Sequence, residues 1–189
     1  MNTKLIARFG LLIAVALVLG YFERFIPIAS GLPGVKLGLA NTVLLYALYL
    51  MNVKNAFGLM LIKVLMSGLL FAGVNGMLYS FAGGLLSLSM MVLIKRLENV
   101  GIVGVSVIGA AFHNVGQLMV ASMVVQTKGV IFYMPILLVS AIITGTLTGI
   151  ISKYVFKGLS AASLHPSRLN SNEIGVTNEY LKKHSTKYL

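Results

Sequence analysis

Five long stretches of the chain contain no Asp, Glu, Lys or Arg, and they limit its fold more than any other feature. These stretches are residues 9–22, 37–53, 64–94, 99–127 and 129–152. A helix needs about 20 apolar residues to cross the roughly 30 Å hydrocarbon core of a bilayer. With 58% hydrophobic residues and a mean hydropathy of +0.93, the chain cannot be a water-soluble globule.

The apolar pattern predicts an all-α integral membrane protein with six transmembrane helices. The 31-residue run from 64 to 94 is too long for one span, and Gly73-Val74-Asn75-Gly76, a sequence typical of turns, divides it between two helices. Two prolines and two glycines within residues 27–34 end the first helix and delay the second. The predicted spans are residues 5–26, 35–51, 53–71, 77–94, 101–125 and 130–155.

Basic residues predict the orientation, because short loops rich in Lys and Arg stay in the cytoplasm. If both termini are inside, Arg24, Lys36 and Lys128 lie outside, against seven Lys and Arg inside before the tail is counted. We expect the first helix to be retained rather than cleaved as a signal peptide. Residues 1–159 would form the transmembrane domain, and residues 160–189, which are rich in Ser, Asn, Lys and His, a flexible cytoplasmic tail. The inner cations are Lys4, Arg8, Lys54, Lys95, Arg96, Lys153 and Lys157.

Composition excludes several other classes of function. The formal net charge of +11 does not indicate nucleic-acid binding, because the cations are spread between apolar runs rather than gathered in one stripe. Cysteine is absent, which removes disulfides, thiolate metal sites and cysteine nucleophiles. We expect no catalytic residues, metal or cofactor.

Polar side chains inside the predicted spans are the candidates for a site, because an ionisable group in the bilayer core costs on the order of 2.5–3.5 kcal/mol. Lys63 in span three, Asn41 in span two and Gln117 in span five lie at similar depths in the outer half. His113 shares a face with Gln117 at i, i+4, and Asn114 lies beside them. Each could simply hydrogen-bond a neighbouring helix, but their convergence from three helices favours a substrate-binding pocket.

Charged residues flank the first loop, where Glu23 and Arg24 end span one and Lys36 opens span two. They could anchor the helices at the membrane interface by snorkelling. Alternatively, the loop is a lid that brings Glu23 and Lys36 over an outward pocket. Lys36 and Lys63 against Glu23 leave a positive excess, which would suit an anionic or phosphate-bearing ligand.

Two rows of small residues predict close helix contacts. Ala141, Gly145 and Gly149 form a row in span six, for which internal packing is the favoured explanation. Ala7, Gly10 and Ala14 share one face of span one, where docking of a partner protein and internal packing are nearly balanced.

Two segments resemble a known bacterial membrane family: Pro33-Gly34-Val35-Lys36-Leu37-Gly38-Leu39-Ala40-Asn41 and Gly109-Ala110-Ala111-Phe112-His113-Asn114-Val115-Gly116-Gln117-Leu118. The family is called heptaprenyl diphosphate synthase component I or Gx transporter, and the resemblance covers about residues 5–157. It is similar in size and span number to the substrate-binding S components of energy-coupling factor (ECF) transporters. That similarity implies a multi-pass protein of the bacterial plasma membrane, with a vitamin-like ligand held beneath the first loop.

The same similarity implies partners: a transmembrane coupling subunit, which would dock on Ala7, Gly10 and Ala14, and ATPase subunits. Gly10 departs from the family's usual alanine pattern. Separate ATPase subunits are consistent with the absence of a G-x-x-x-x-G-K-[ST] phosphate loop from the chain.

The first family name raises the alternative of an enzyme. Prenyl diphosphate synthases hold Mg²⁺ with aspartate-rich motifs, because hard cations need clustered carboxylates, and this chain has no Asp and only four scattered Glu. We therefore predict that it is not an enzyme but the substrate-binding subunit of an ECF-type importer. The alternatives are a proton-coupled carrier that uses His113 and Lys63, and an accessory, non-catalytic membrane subunit linked to heptaprenyl diphosphate or quinone synthesis.

Overall fold

The computed structural model describes residues 3–23, 39–97, 100–126 and 128–163, and all secondary structure in these ranges is helical, which confirms the predicted all-α class. A π-helical turn, Gly68–Ala72, joins the third and fourth helices, and a 3₁₀ segment, Lys128–Tyr133, precedes the sixth. The α-helices are α1 (Thr3–Phe22), α2 (Leu39–Leu50), α3 (Val53–Ser67), α4 (Gly73–Lys95), α5 (Ile102–Val125) and α6 (Met134–Ser163).

The chain reverses direction at Gly73, which has φ 68° and ψ 177°. Only glycine adopts this backbone region at little cost, because it has no Cβ. The expected turn was wider, but residues 74–76 belong to the first turn of α4. Packing of Met77 against Gly68 holds that turn: a Cβ on Gly68 would lie 2.6 Å from the Met77 sulfur.

Helices α4, α5 and α6 pack antiparallel and very closely. A Cβ placed on Gly116 of α5 would lie 2.6 Å from the backbone oxygen of Ala82 in α4. Cβ atoms on Gly145 and Gly149 of α6 would lie 2.6 and 2.8 Å from the Cα atoms of Val107 and Val103 in α5. The small-residue row of span six therefore packs internally, as predicted.

The apolar core contains residues from α1 to α5. Ala47 and Leu48 of α2 and Leu59 and Met60 of α3 are almost fully buried, and Phe9 of α1 packs against this cluster. Large apolar side chains on the outside are widely exposed, with Leu69 at 76% and Phe132 at 85%. A surface of this kind suits contact with lipid rather than water.

Within the described residues, three helical segments are long and apolar enough to cross a membrane. They are Val53–Lys95, which contains α3 and α4, Ile102–Val125 and Gly129–Gly158, while Ile6–Phe22 and Ala40–Leu50 are shorter apolar helices. Helix α6 continues to Ser163, past the domain boundary expected at residue 159. The rest of the predicted tail and most of the first loop lie outside the described residues.

The bundle has two ends. The first-loop end is the end at which α1 stops and α2 starts, together with the reversal at Gly73. The terminal end is the opposite one, which contains the start of α1 at Thr3 and the end of α4 at Lys95. We predict that the first-loop end faces the outside of the cell.

Candidate functional site

A cavity lies between the helices, and residues from all of α1–α6 line it. Its volume is about 110 Å³, counted as the space that the centre of a water molecule can occupy. One water needs roughly 10–15 Å³ by this measure, so the cavity has room for several waters and is narrow. A larger ligand would have to separate the walls. The lining includes six of the seven predicted substrate-binding residues: Glu23, Asn41, Lys63, His113, Asn114 and Gln117.

The seventh predicted residue, Lys36, lies outside the described residues, and so does the predicted lid. Lys36 affects the expected net charge of the site. Among the described lining residues, Lys63 and Glu23 carry opposite charges, and with neutral His113 the formal total is zero. The expectation of an anionic ligand therefore depends on Lys36 rather than on the described wall.

Lys63 and Asn41 meet directly in the cavity wall. The Lys63 ammonium donates a hydrogen bond of 3.1 Å to the Asn41 side-chain oxygen, and both residues are half-buried. This bond offsets part of the cost of removing an ammonium group from water. The amide is neutral, so the bond does not neutralise the charge of Lys63.

Helix α5 presents His113 and Gln117 one turn apart in the cavity wall, and both side chains pass close to Gly83 of α4. A Cβ on Gly83 would lie 3.0 Å from both the Cε1 atom of His113 and the Cγ atom of Gln117. Glycine at this position therefore gives the two side chains their space.

Asn114 has a structural contact as well as a place in the lining. Its side-chain nitrogen donates a 2.8 Å hydrogen bond to the backbone oxygen of Leu137 in α6. This is the interhelical alternative that the sequence left open for such residues. Asn114 therefore contributes to the packing of α5 against α6 as well as to the cavity wall.

Four buried hydroxyl residues form a polar floor towards the middle of the bundle, and we call them the hydroxyl floor: Ser87, Ser106, Thr144 and Thr148. The side-chain oxygens of Ser106 and Thr148 are 2.8 Å apart. Thr148 donates its single proton towards the backbone oxygens of Thr144 and Gly145, at 2.9 and 3.1 Å. Ser106 is therefore the donor to Thr148.

Sequence reasoning missed the hydroxyl floor, although a signal for it was present. Ser106, Ala110, His113 and Gln117 repeat at intervals of four, three and four, which places all of them on one face of a helix. Thr144 and Thr148 are likewise one turn apart. Ser and Thr inside a span are a weak signal of a site, because their hydroxyls can bond to their own helix.

The predicted docking face on α1 is exposed. Ala7, Gly10 and Ala14 are all exposed, and no described atom lies within 4 Å of a Cβ built on Gly10. Internal packing against the described helices therefore does not explain this row of small residues.

An apolar helical exterior around a narrow cavity with polar side chains in its wall defines a helical membrane protein. The chain belongs to the family described as heptaprenyl diphosphate synthase component I, whose model matches residues 12–155. This confirms the family that the two sequence segments indicated, and the match includes the six described site residues. No curated protein and no solved structure matches the chain.

Proposed function

We propose that the protein is the substrate-binding membrane subunit of an ECF-type importer, in which six spans hold a small molecule within the cavity. The observation that carries the proposal is the meeting of Lys63, Asn41, His113 and Gln117 in one space between helices. Ionisable and amide groups are expensive within a bilayer, and they are usually kept there for function. A polar ligand would offset that expense by hydrogen-bonding to them.

The cavity also suggests the form of the ligand. Gln117 and Ser106 are eleven residues apart on α5, which corresponds to roughly 16 Å at 1.5 Å per residue. A charged or strongly polar group would bind near Lys63, and a neutral hydrogen-bonding group would bind at the hydroxyl floor. This describes an elongated, vitamin-like or precursor molecule, and Lys36 would add a preference for an anionic group.

Two observations support the proposed partners. The chain has no phosphate loop with which to use ATP, and the small-residue face of α1 is exposed. A transmembrane coupling subunit would pack on Ala7, Gly10 and Ala14, since small residues let helices approach closely in lipid, and separate ATPase subunits would supply the energy.

Native mass spectrometry of the full chain, purified from membranes of its own cells in a mild detergent, tests this function. We expect a bound small molecule in the spectrum, and associated ATPase and coupling subunits after gentle extraction. A protein that carries neither a small molecule nor these subunits would contradict the proposal.

A proton-coupled carrier is the second candidate, and one observation favours it. Glu23 lines the same cavity as His113 and Lys63, so three groups that can exchange protons share one space. Substrate uptake that follows a pH gradient in vesicles containing only this protein would favour the carrier over the ECF subunit.

The family description also permits an accessory role in heptaprenyl diphosphate synthesis. The chain itself has no Asp, and no three His, Cys, Asp or Glu side chains come together within the described ranges. The carboxylates that hold Mg²⁺ and diphosphate would therefore have to come from another subunit. We propose that the chain is non-catalytic in either role.

A further inference from the structure

A second concave surface, separate from the cavity, lies on the outside of the bundle between α3 and α4. The two helices are in contact where Met77 packs on Gly68 and where Met60 packs on Gly84. Beyond these contacts, towards the terminal end, they leave a groove of about 460 Å³. We call this the α3–α4 groove, and its lining includes Val53, Lys54, Phe57, Leu85, Leu88 and Ser89.

The walls of the α3–α4 groove are apolar. Leu88 is buried at its base, and Val53, Phe57 and Leu85 are 47%, 39% and 37% exposed at its sides. Ser89 does not make the groove polar, because its hydroxyl donates a 2.8 Å hydrogen bond to the backbone oxygen of Leu85 on the same helix. The groove therefore suits a flexible hydrocarbon chain.

One end of the groove carries a positive charge. Lys54 is exposed and is the charged member of the described lining. It belongs to the first turn of α3, next to Asn52, which caps that helix through a 2.8 Å hydrogen bond from the Asn55 backbone nitrogen. A helix end lies at the level of lipid headgroups, so Lys54 is placed where a phosphate would be.

We propose that the α3–α4 groove is a binding site for an anionic phospholipid, with one acyl chain between Phe57 and Leu85 and the headgroup phosphate at Lys54. Charge complementarity selects the anionic headgroup, since each basic residue near the membrane surface favours anionic lipid by about fivefold. The acyl chain covers apolar surface that no described helix covers. The site is distinct from the ligand cavity, because the linings of the two share no residue.

The chain contains no Trp, so the Trp fluorescence of a variant with one introduced Trp comes from that position alone. The test uses full-length Phe57→Trp protein in phosphatidylcholine vesicles that contain either brominated phosphatidylglycerol or brominated phosphatidylcholine at the same mole fraction. Bromine quenches Trp fluorescence at short range. We expect the apparent association constant of lipid beside the introduced indole, obtained from quenching, to be about fivefold higher for phosphatidylglycerol.

Two comparisons assign that preference to Lys54 and to the groove. Lys54→Gln in the Phe57→Trp background should make the two lipids equal, whereas Lys153→Gln, which removes an exposed cation of α6, should leave the preference intact. A single Trp in place of Ile143, which is 64% exposed on α6, should be quenched equally by both lipids.

The proposal is overturned if Phe57→Trp shows no preference, if the preference survives Lys54→Gln, or if the Ile143→Trp protein shows the same preference. Val53→Trp, in the same groove, replaces Phe57→Trp if the latter protein does not fold.

Discussion

Lys63 is the residue on which the proposed ligand site depends most directly. It is half-buried within an apolar helix, where it donates a hydrogen bond to the neutral amide of Asn41. A methionine of similar length would fill the same space without a charge, and it would spare the helix the cost of burying an ammonium group. The change therefore removes the charged donor from the cavity and keeps most of the side-chain volume.

We expect Lys63→Met to weaken binding of the co-purifying small molecule by about 10- to 100-fold, the equivalent of one charge-assisted hydrogen bond. Native mass spectrometry measures the loss of bound ligand. Lys153→Met, which removes an exposed cation, is the matched control and should leave occupancy unchanged. Equal occupancy in wild type and Lys63→Met would remove Lys63 from the site.

Lys95 has a structural role at the opposite end of the bundle. Its ammonium donates a 2.8 Å hydrogen bond to the backbone oxygen of Leu48 and lies 4.5 Å from the centre of the Tyr49 ring. The Leu48 oxygen is in the last turn of α2, where helix carbonyls have no partner within the helix and favour a cation. Lys95 therefore links the C-terminal ends of α2 and α4.

Lys95→Met should destabilise the protein by about 1 kcal/mol, because a half-buried hydrogen bond from a charged group and a cation–π contact are lost. Thermal unfolding in detergent, followed by circular dichroism, measures the change. The control is again Lys153→Met, for which no change is expected. A melting temperature that is equal in the two variants would show that the Leu48 carbonyl does not need Lys95.

Among the elements, the α3–α4 pair depends on one backbone conformation. The reversal at Gly73 allows the two helices to run side by side, so that Met60, Lys63, Ser80 and Ser87 reach the same cavity. Any residue with a Cβ at φ 68° and ψ 177° is strained by about 1–3 kcal/mol.

Gly73→Ala should therefore lower the stability of the protein by about 1–3 kcal/mol, even though no described atom lies within 4 Å of the added Cβ. Gly158→Ala is the control, because that site is equally open but has an ordinary helical φ, and alanine there should be neutral or slightly stabilising. Thermal unfolding in the same detergent measures the stability of each variant relative to wild type. If both variants behave alike, the reversal does not require a residue without a Cβ at position 73.

The existence of these helices could be predicted from charge-free apolar runs, but their ends could not. Asn75 and Gly76 are common in turns, but both are helical in α4. Close to them Met77 packs against Gly68, a contact that the sequence alone does not reveal. For α6, the start at Met134 agrees with Pro135, which the first turn of a helix tolerates.

Whether a site residue could be predicted from the sequence depended on its chemical type. Lys63, Asn41 and Gln117 were recognisable because ionisable and amide groups are costly in a bilayer wherever they point. Ser106 and Thr148 were not, because a hydroxyl can satisfy itself on the preceding turn, as Thr148 does. Only packing shows that these hydroxyls share one cavity with Lys63.

For the whole molecule, we predict that the first-loop end faces the outside of the cell and that water enters the cavity from there. The chain contains no cysteine, so a single introduced cysteine can test both predictions. Ser80 of α4 lines the cavity, whereas Leu78, two residues earlier, is 50% exposed on the outside of the bundle. A thiol reacts as its thiolate, which forms in water but is suppressed in an apolar medium.

Single-cysteine Ser80→Cys protein in intact cells should therefore react with a charged, membrane-impermeant methanethiosulfonate reagent, and Leu78→Cys protein should not. Mass spectrometry of the purified protein measures the fraction labelled. Reaction of Ser80→Cys only in inverted vesicles would reverse the predicted orientation, because the cavity would then open to the cytoplasm. No reaction from either side, with full reaction after denaturation, would mean that the cavity is closed to a molecule of the reagent's size, which would contradict a substrate site that is open to the outside.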